Sequence, residues 1–128
     1  MARVLLYNFA DEKRRRAVKS LLFRFSIPCR EVPAEDQYRP LGAVLELEEF
    51  EAEAEGEENS FGDEMLVMHD LSRRQFNGLL DGMKQAGVQV PLKAVVTSHN
   101  LGWSGARLHR ELRTEHEAMA RRAEEKKQ

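Results

Sequence analysis

Apolar residues in this chain form short continuous runs, each pair of runs separated by a helix-spaced pattern. Val4-Leu5-Leu6-Tyr7 leads into Val18, Leu21, Leu22 and Phe25, and then into Cys29-Arg30-Glu31-Val32. Met65-Leu66-Val67-Met68 leads into Phe76, Leu79, Leu80 and Met83, and then into Leu92-Lys93-Ala94-Val95-Val96. Spacings of three and four align side chains on one stripe of a helix. Short apolar runs bounded by turn residues read as buried strands. The pattern therefore predicts a strand–helix–strand unit, twice. Val4 and Leu6 point away from Leu5 and Tyr7, so the central strands are apolar on both faces and both faces need cover.

That requirement favours a single three-layer α/β domain over residues 1–128, with a small, largely parallel four-stranded sheet covered by helices. The alternative is a ferredoxin-like βαββαβ order plus a C-terminal helix, if residues 43–47 form a strand. Leu41, Val44 and Leu45 suit a short helix there, whereas Ala43, Leu45 and Leu47 suit a strand. The run is too short for its period to decide.

Local signals mark the ends of the elements. Asp11 or Asn8 is placed to cap the first helix, and Pro28 stops it. Ser72 with Gln75 forms a capping box, with Leu71 and Phe76 placed as a hydrophobic staple. Gly87 and then Pro91 end that helix. A final helix is predicted from about Trp103 to about Arg122, with residues 123–128 charged and expected to fray. Glu46 to Glu58 holds eight glutamates and no basic residue. Residues 48–62 are accordingly expected to be a mobile acidic connection.

Composition narrows the chemistry. A formal net charge of −2 exerts no global pull on nucleic acid or an anionic membrane. The one cysteine, Cys29, excludes an internal disulfide and any multi-cysteine zinc site. No apolar run suits a signal peptide or a membrane span, which predicts a cytoplasmic protein. Lys13, Arg14, Arg15, Arg16, Lys19 and Arg24 concentrate basic charge on the first helix. No aromatic residues interleave them as a stacking platform, which argues against nucleic acid as a partner. His109 and His116 stand two turns apart, about 10 Å along the axis, too far to share an ion, and no metal is expected. Gly102 and Gly105 fit no phosphate loop, and no cofactor is expected. Gly78 and Gly82 could admit a close neighbour, but tolerated drift is the slightly favoured reading.

In open parallel sheets ligands bind beyond the carboxyl ends of the strands. Those ends carry Asn8, His69-Asp70 and Thr97-Ser98-His99-Asn100. A parallel sheet would gather all three groups at one edge; a ferredoxin-like sheet would leave Asn8 at the other. Turns and helix caps also call for these residue types, and that duty is the favoured explanation.

The second half resembles a bacterial family known as domain of unknown function thirty-seven eighty-three. The stretches that carry the resemblance are Asp63 to Met68, Pro91 to Thr97, Asn100 with Trp103, and Glu111-Leu112 followed by Glu115-His116. Leu5 to Phe9 and Pro40-Leu41-Gly42 agree in the first half, while Ser98-His99 departs from the pattern. The resemblance implies no activity and no cofactor. It implies a recurrent surface of Lys93, Thr97, Asn100 and Trp103, where Trp103 also suits a core anchor. The sequence thus points to a small binding or regulatory module without catalysis, monomeric or homodimeric. Its candidate surface is Asn8, His69, Lys93, Thr97, His99, Asn100 and Trp103. The alternative is a small enzyme with His69 or His99 as general base and Asn100 as hydrogen-bond donor.

Overall fold

A computed structural model describes residues 1–47 and 61–126. The expected acidic connection falls almost wholly outside the described residues. Element order is β1 (Arg3–Tyr7), α1 (Glu12–Arg24), β2 (Cys29–Val32), a 3-10 turn (Ala34–Asp36), α2 (Leu41–Val44), β3 (Met65–His69), α3 (Arg73–Gln85), β4 (Leu92–Val95) and α4 (Gly105–Lys126). Residues 41–44 are therefore helical, and the strand that the ferredoxin-like order needed is not there. The tail is helical as far as Lys126, beyond the expected end at Arg122.

The four strands lie in the order β2-β1-β3-β4. β1 runs parallel to β2, and β3 parallel to β4, but β1 and β3 are antiparallel. The fold is α/β with helices on both faces, as expected, but the sheet is mixed rather than largely parallel. Each strand–helix–strand unit keeps its two strands adjacent, and the units meet head to tail through their first strands. A parallel sheet needs every crossover to return the chain to the same end. Here the chain between β2 and β3 does not, so the second unit is turned over.

The two units are near copies related by a twofold axis through the sheet. Leu5 pairs with Val67, the equivalent residue of the other unit. Each helix has 13 residues. Each first strand ends in a left-handed residue, Asn8 at φ 63° and Asp70 at φ 55°. Each helix closes with the same pair of bonds. Ile27 and Ser26 donate to the Leu22 and Phe23 carbonyls, as Val88 and Gly87 do to Met83 and Lys84. This cap needs a left-handed residue, which is Gly87 in one unit and Ser26 in the other. The capping box at Ser72 and Gln75 is formed, and Asp11 caps α1 through the Arg14 N–H.

One face packs α1 and α3 on Val4, Leu6, Leu66 and Met68. The other packs α2 and α4 on Leu5, Tyr7, Met65 and Val67. Each of these buried side chains contributes about 1.5–3 kcal/mol. Gly78 and Gly82 make the α1–α3 approach possible. A Cβ on Gly78 would collide with the Phe25 ring, and one on Gly82 would come within 2.6 Å of Leu21 Cδ2. The pair is a packing requirement rather than tolerated drift.

Candidate functional site

Because β1 and β3 are antiparallel, the predicted cluster splits. Asn8 lies at one end of the sheet, and His69, Thr97, His99 and Asn100 at the other. His69 pairs across the sheet with Arg3, and the Met68–Val95 pair precedes it. Burial pushes its imidazole pKa down, opposed by neighbouring Asp70 and reinforced by the amino terminus and Arg3. The Asp70 carboxylate accepts from the amino terminus at 2.7 Å, which holds its pKa below the usual range.

β4 is an edge strand, and Asn100 closes one end of it. Val96 donates to the Met68 carbonyl, so the backbone groups of Lys93, Val95 and Thr97 face away from β3. The Asn100 amide donates to the Val95 carbonyl at 3.1 Å and accepts from the Thr97 N–H at 2.9 Å. One side chain thus occupies the position of a neighbouring strand. The Thr97 hydroxyl accepts from the His99 and Asn100 N–H groups and tightens the same turn. The N–H of Val95 and both backbone groups of Lys93 remain on the open edge. Lys93 Nζ folds back to the Val90 carbonyl at 2.6 Å.

Trp103 follows as an anchor. Its ring packs against the α2–α4 core, with the Arg107 guanidinium 4.4 Å above it and His99 edge-on at 5.4 Å. Its carbonyl accepts from Leu41 at 2.8 Å, so the loop before α4 receives the first turn of α2.

Beside Val95 the sheet opens into a groove against α3. Met68, Leu71, Phe76, Val95 and Val96 line it with Asp70, Arg73 and Asn77 at its rim, and its volume is about 560 Å³. Val95 is 46% exposed, high for a strand valine. A second depression continues along the same helix between Leu80, Lys84, Val90 and Lys93. The groove is apolar at its centre, with Arg73 beside Asp70 at one end and Lys84 with Lys93 at the other.

The opposite end of the sheet is sealed by polar groups that sequence reading passed over. Gln37 is fully buried. Its amide donates to Asn8 Oδ1 at 3.1 Å and to the Phe61 carbonyl, and accepts from the Phe61 N–H at 3.1 Å. Asn8 donates to the Phe61 and Asp63 carbonyls at 2.8 and 3.0 Å. Phe61 stacks on His109 at 4.2 Å, and His109 Nε2 meets Asp63 Oδ2 at 2.8 Å. Nothing local flags Gln37 or Phe61; each is defined by partners more than twenty residues away. Tyr7 lies behind them with its hydroxyl buried and unpartnered among the described residues. Burial, and then the charge of Asp36, drive its pKa up against the opposing pull of Arg30.

The basic first helix is largely neutralised within the chain. Arg14 grips Glu64 with two nitrogens at 2.8–3.0 Å, which holds it protonated, and reaches the Gln89 carbonyl. Arg15 and Lys19 meet Glu31, and Arg16 meets Glu12. Burial raises the Cys29 thiol pKa, assisted by Glu31 and opposed by Lys19, so the thiol is a poor nucleophile at neutral pH. Among the described residues no group of three or more His, Cys, Asp or Glu is placed to hold a metal ion. No helix among them is long and apolar enough to cross a membrane.

Comparisons with curated proteins and with solved structures return no match. The stretch from Glu64 to Met119 spans β3, α3, β4, the Asn100–Trp103 turn and two thirds of α4. Those residues, 64–119, match the model of the domain of unknown function DUF3783.

Proposed function

We propose that the protein is a small cytoplasmic binding module that takes an extended segment of a partner protein along the α3–β4 groove. The observation that carries this reading is the conjunction of an apolar groove with an open strand edge. Backbone groups of Lys93 and Val95 are available to pair with an added strand, and alternate side chains of that strand would enter the groove. Asn100 sets the end of the docking track by occupying the next pairing position. Lys84 with Lys93 at one end, and Arg73 at the other beside an Asp70 already paired with the amino terminus, favour a segment with an apolar centre and flanking Asp or Glu. The enzyme alternative required Asn100 as a donor to substrate, yet the side chain is held in a structural role, donating one N–H to Val95 and accepting from Thr97.

Selection from a random peptide library, followed by calorimetry on the winners, tests the reading. Recovered peptides should be apolar with acidic flanks, and Val95→Glu should abolish their binding while the far-UV spectrum is unchanged. Peptides that bind Val95→Glu as well as the native chain would overturn it. So would turnover in a hydrolase and transferase screen that Asn100→Ala removes.

A further inference from the structure

α4 is longer than the sheet it covers. Its 22 residues span about 33 Å, whereas strands of four or five residues span about 13–17 Å. Leu108 is buried and Leu112 partly so, but every residue from Arg113 to Glu124 is exposed except half-buried Ala118. At 100° per residue, Leu108, Leu112, Glu115, Met119 and Arg122 fall within an arc of about 80°. The stripe that holds α4 to the sheet therefore continues past the sheet edge, and Met119 on it is 67% exposed. A helical segment of this length is marginal in water without something to pack on.

The charges on that stripe are self-complementary. Glu115 lies about 6 Å before Met119 along the axis, and Arg122 about 4.5 Å after it. Neither has a partner among the described hydrogen bonds or ion pairs, whereas Arg113 and Glu117 pair with each other at 3.2 Å. Two copies of the helix laid antiparallel about Met119 bring Glu115 of each within about 1.5 Å, along the axis, of Arg122 of the other. Both residues lie on the same flank of the stripe, and like flanks face one another in an antiparallel pair. A parallel pair would set Glu115 against Glu115 and Arg122 against Arg122. Beside the stripe lies a cleft of about 260 Å³ lined by Asp63, Glu64, Pro91, Leu92, Arg113 and His116.

We propose that the outer half of α4 is a self-association surface. Two copies of this chain pair antiparallel about Met119, with Glu115 of each copy opposite Arg122 of the other. The contact is short and belongs with weak, transient interfaces, so dimerisation should be half complete at about 100 μM.

Sedimentation equilibrium of the full chain, from about 10 μM to about 1 mM around that midpoint, tests the pairing. Glu115→Arg and Arg122→Glu each place like charges across the axis, and each should be monomeric at concentrations where the native chain dimerises. An equimolar mixture of the two variants should form a heterodimer. The arginine introduced in one chain then meets the glutamate introduced in the other, and the retained Arg122 meets the retained Glu115. The double variant should dimerise like the native chain. All these side chains are exposed, and unchanged circular dichroism will confirm that the variants fold. Met119→Glu supplies an independent loss of the apolar centre. A native chain that stays monomeric at about 1 mM would overturn the proposal. So would a dimer indifferent to both single substitutions, or a mixture of the two variants that does not associate.

Discussion

The two strand–helix–strand units share their local geometry and differ in how they use the polar residues beyond their strands. In the first unit Asn8 turns inward and is knitted to Gln37 and Phe61 in a buried network. In the second, the equivalent Asp70 is exposed and meets the amino terminus. The polar work there passes to Asn100, which faces the open edge of β4. One end of the sheet is therefore closed by the protein itself, and the other is left beside a groove. The units fold alike because their local sequence is alike. They diverge where residues distant in sequence do or do not arrive to cover them.

The largest effect expected from breaking this contrast is at Gln37. Gln37→Ala leaves the Phe61 N–H and Asn8 Oδ1 without the partner that Gln37 supplies, at a cost of about 3 kcal/mol. Asn100→Ala strips two partners from an edge that water reaches more easily, and should cost about 1–2 kcal/mol. Urea unfolding of both variants checks the ranking; equal losses would erase the distinction between a sealed end and an open one. A smaller effect of opposite sign is expected at Ser26. Its left-handed backbone is the one position where the first unit departs from the cap glycine of the second. Ser26→Gly should stabilise by about 0.5–1 kcal/mol, and Gly87→Ser should destabilise by a similar amount. The smallest effect concerns acid. Burial lowers the His69 pKa in the folded chain, so the unfolded chain takes up the proton more readily. The contribution is fully present above the unfolded value, about 6.5, and is lost as pH falls towards the folded value. His69→Gln should flatten the dependence of melting temperature on pH in that range.

The sequence resolved what neighbours decide. The four strands, the three longer helices, the Ser72–Gln75 box, the Gly87 stop and the need to cover both faces follow from short apolar runs, the 3.6 period and cap chemistry, whereas the short helix at 41–44 does not. The direction of β1 relative to β3 does not, because it depends on a pairing between residues some sixty positions apart. With that direction went the expected gathering of Asn8 with His69 and Asn100. Gln37 sits in a polar stretch with no period to betray that it is buried. His109 stands out in sequence only as one of two histidines too far apart to share an ion, yet its partners are Phe61 and Asp63. Gly78 and Gly82 stand out along the chain as an oddity, but only the Phe25 and Leu21 side chains across the helix contact give them a reason.

The unsplit strand order has a consequence for how this chain reaches its structure. Within each unit the paired strands are separated by fewer than thirty residues, as for Val4 with Cys29 and Met65 with Leu92. Two hairpin-sized nuclei can therefore form on their own, each with its helix, before the halves meet. Only the β1–β3 ladder closes a long loop, and the entropy of that closure grows slowly, by about 0.6 kcal/mol for each doubling of length. Such a chain should condense quickly and tolerate wide variation in the length of the acidic run between Leu47 and Phe61. An interleaved ferredoxin-like order would have left the first strand without a partner until the far half of the molecule arrived.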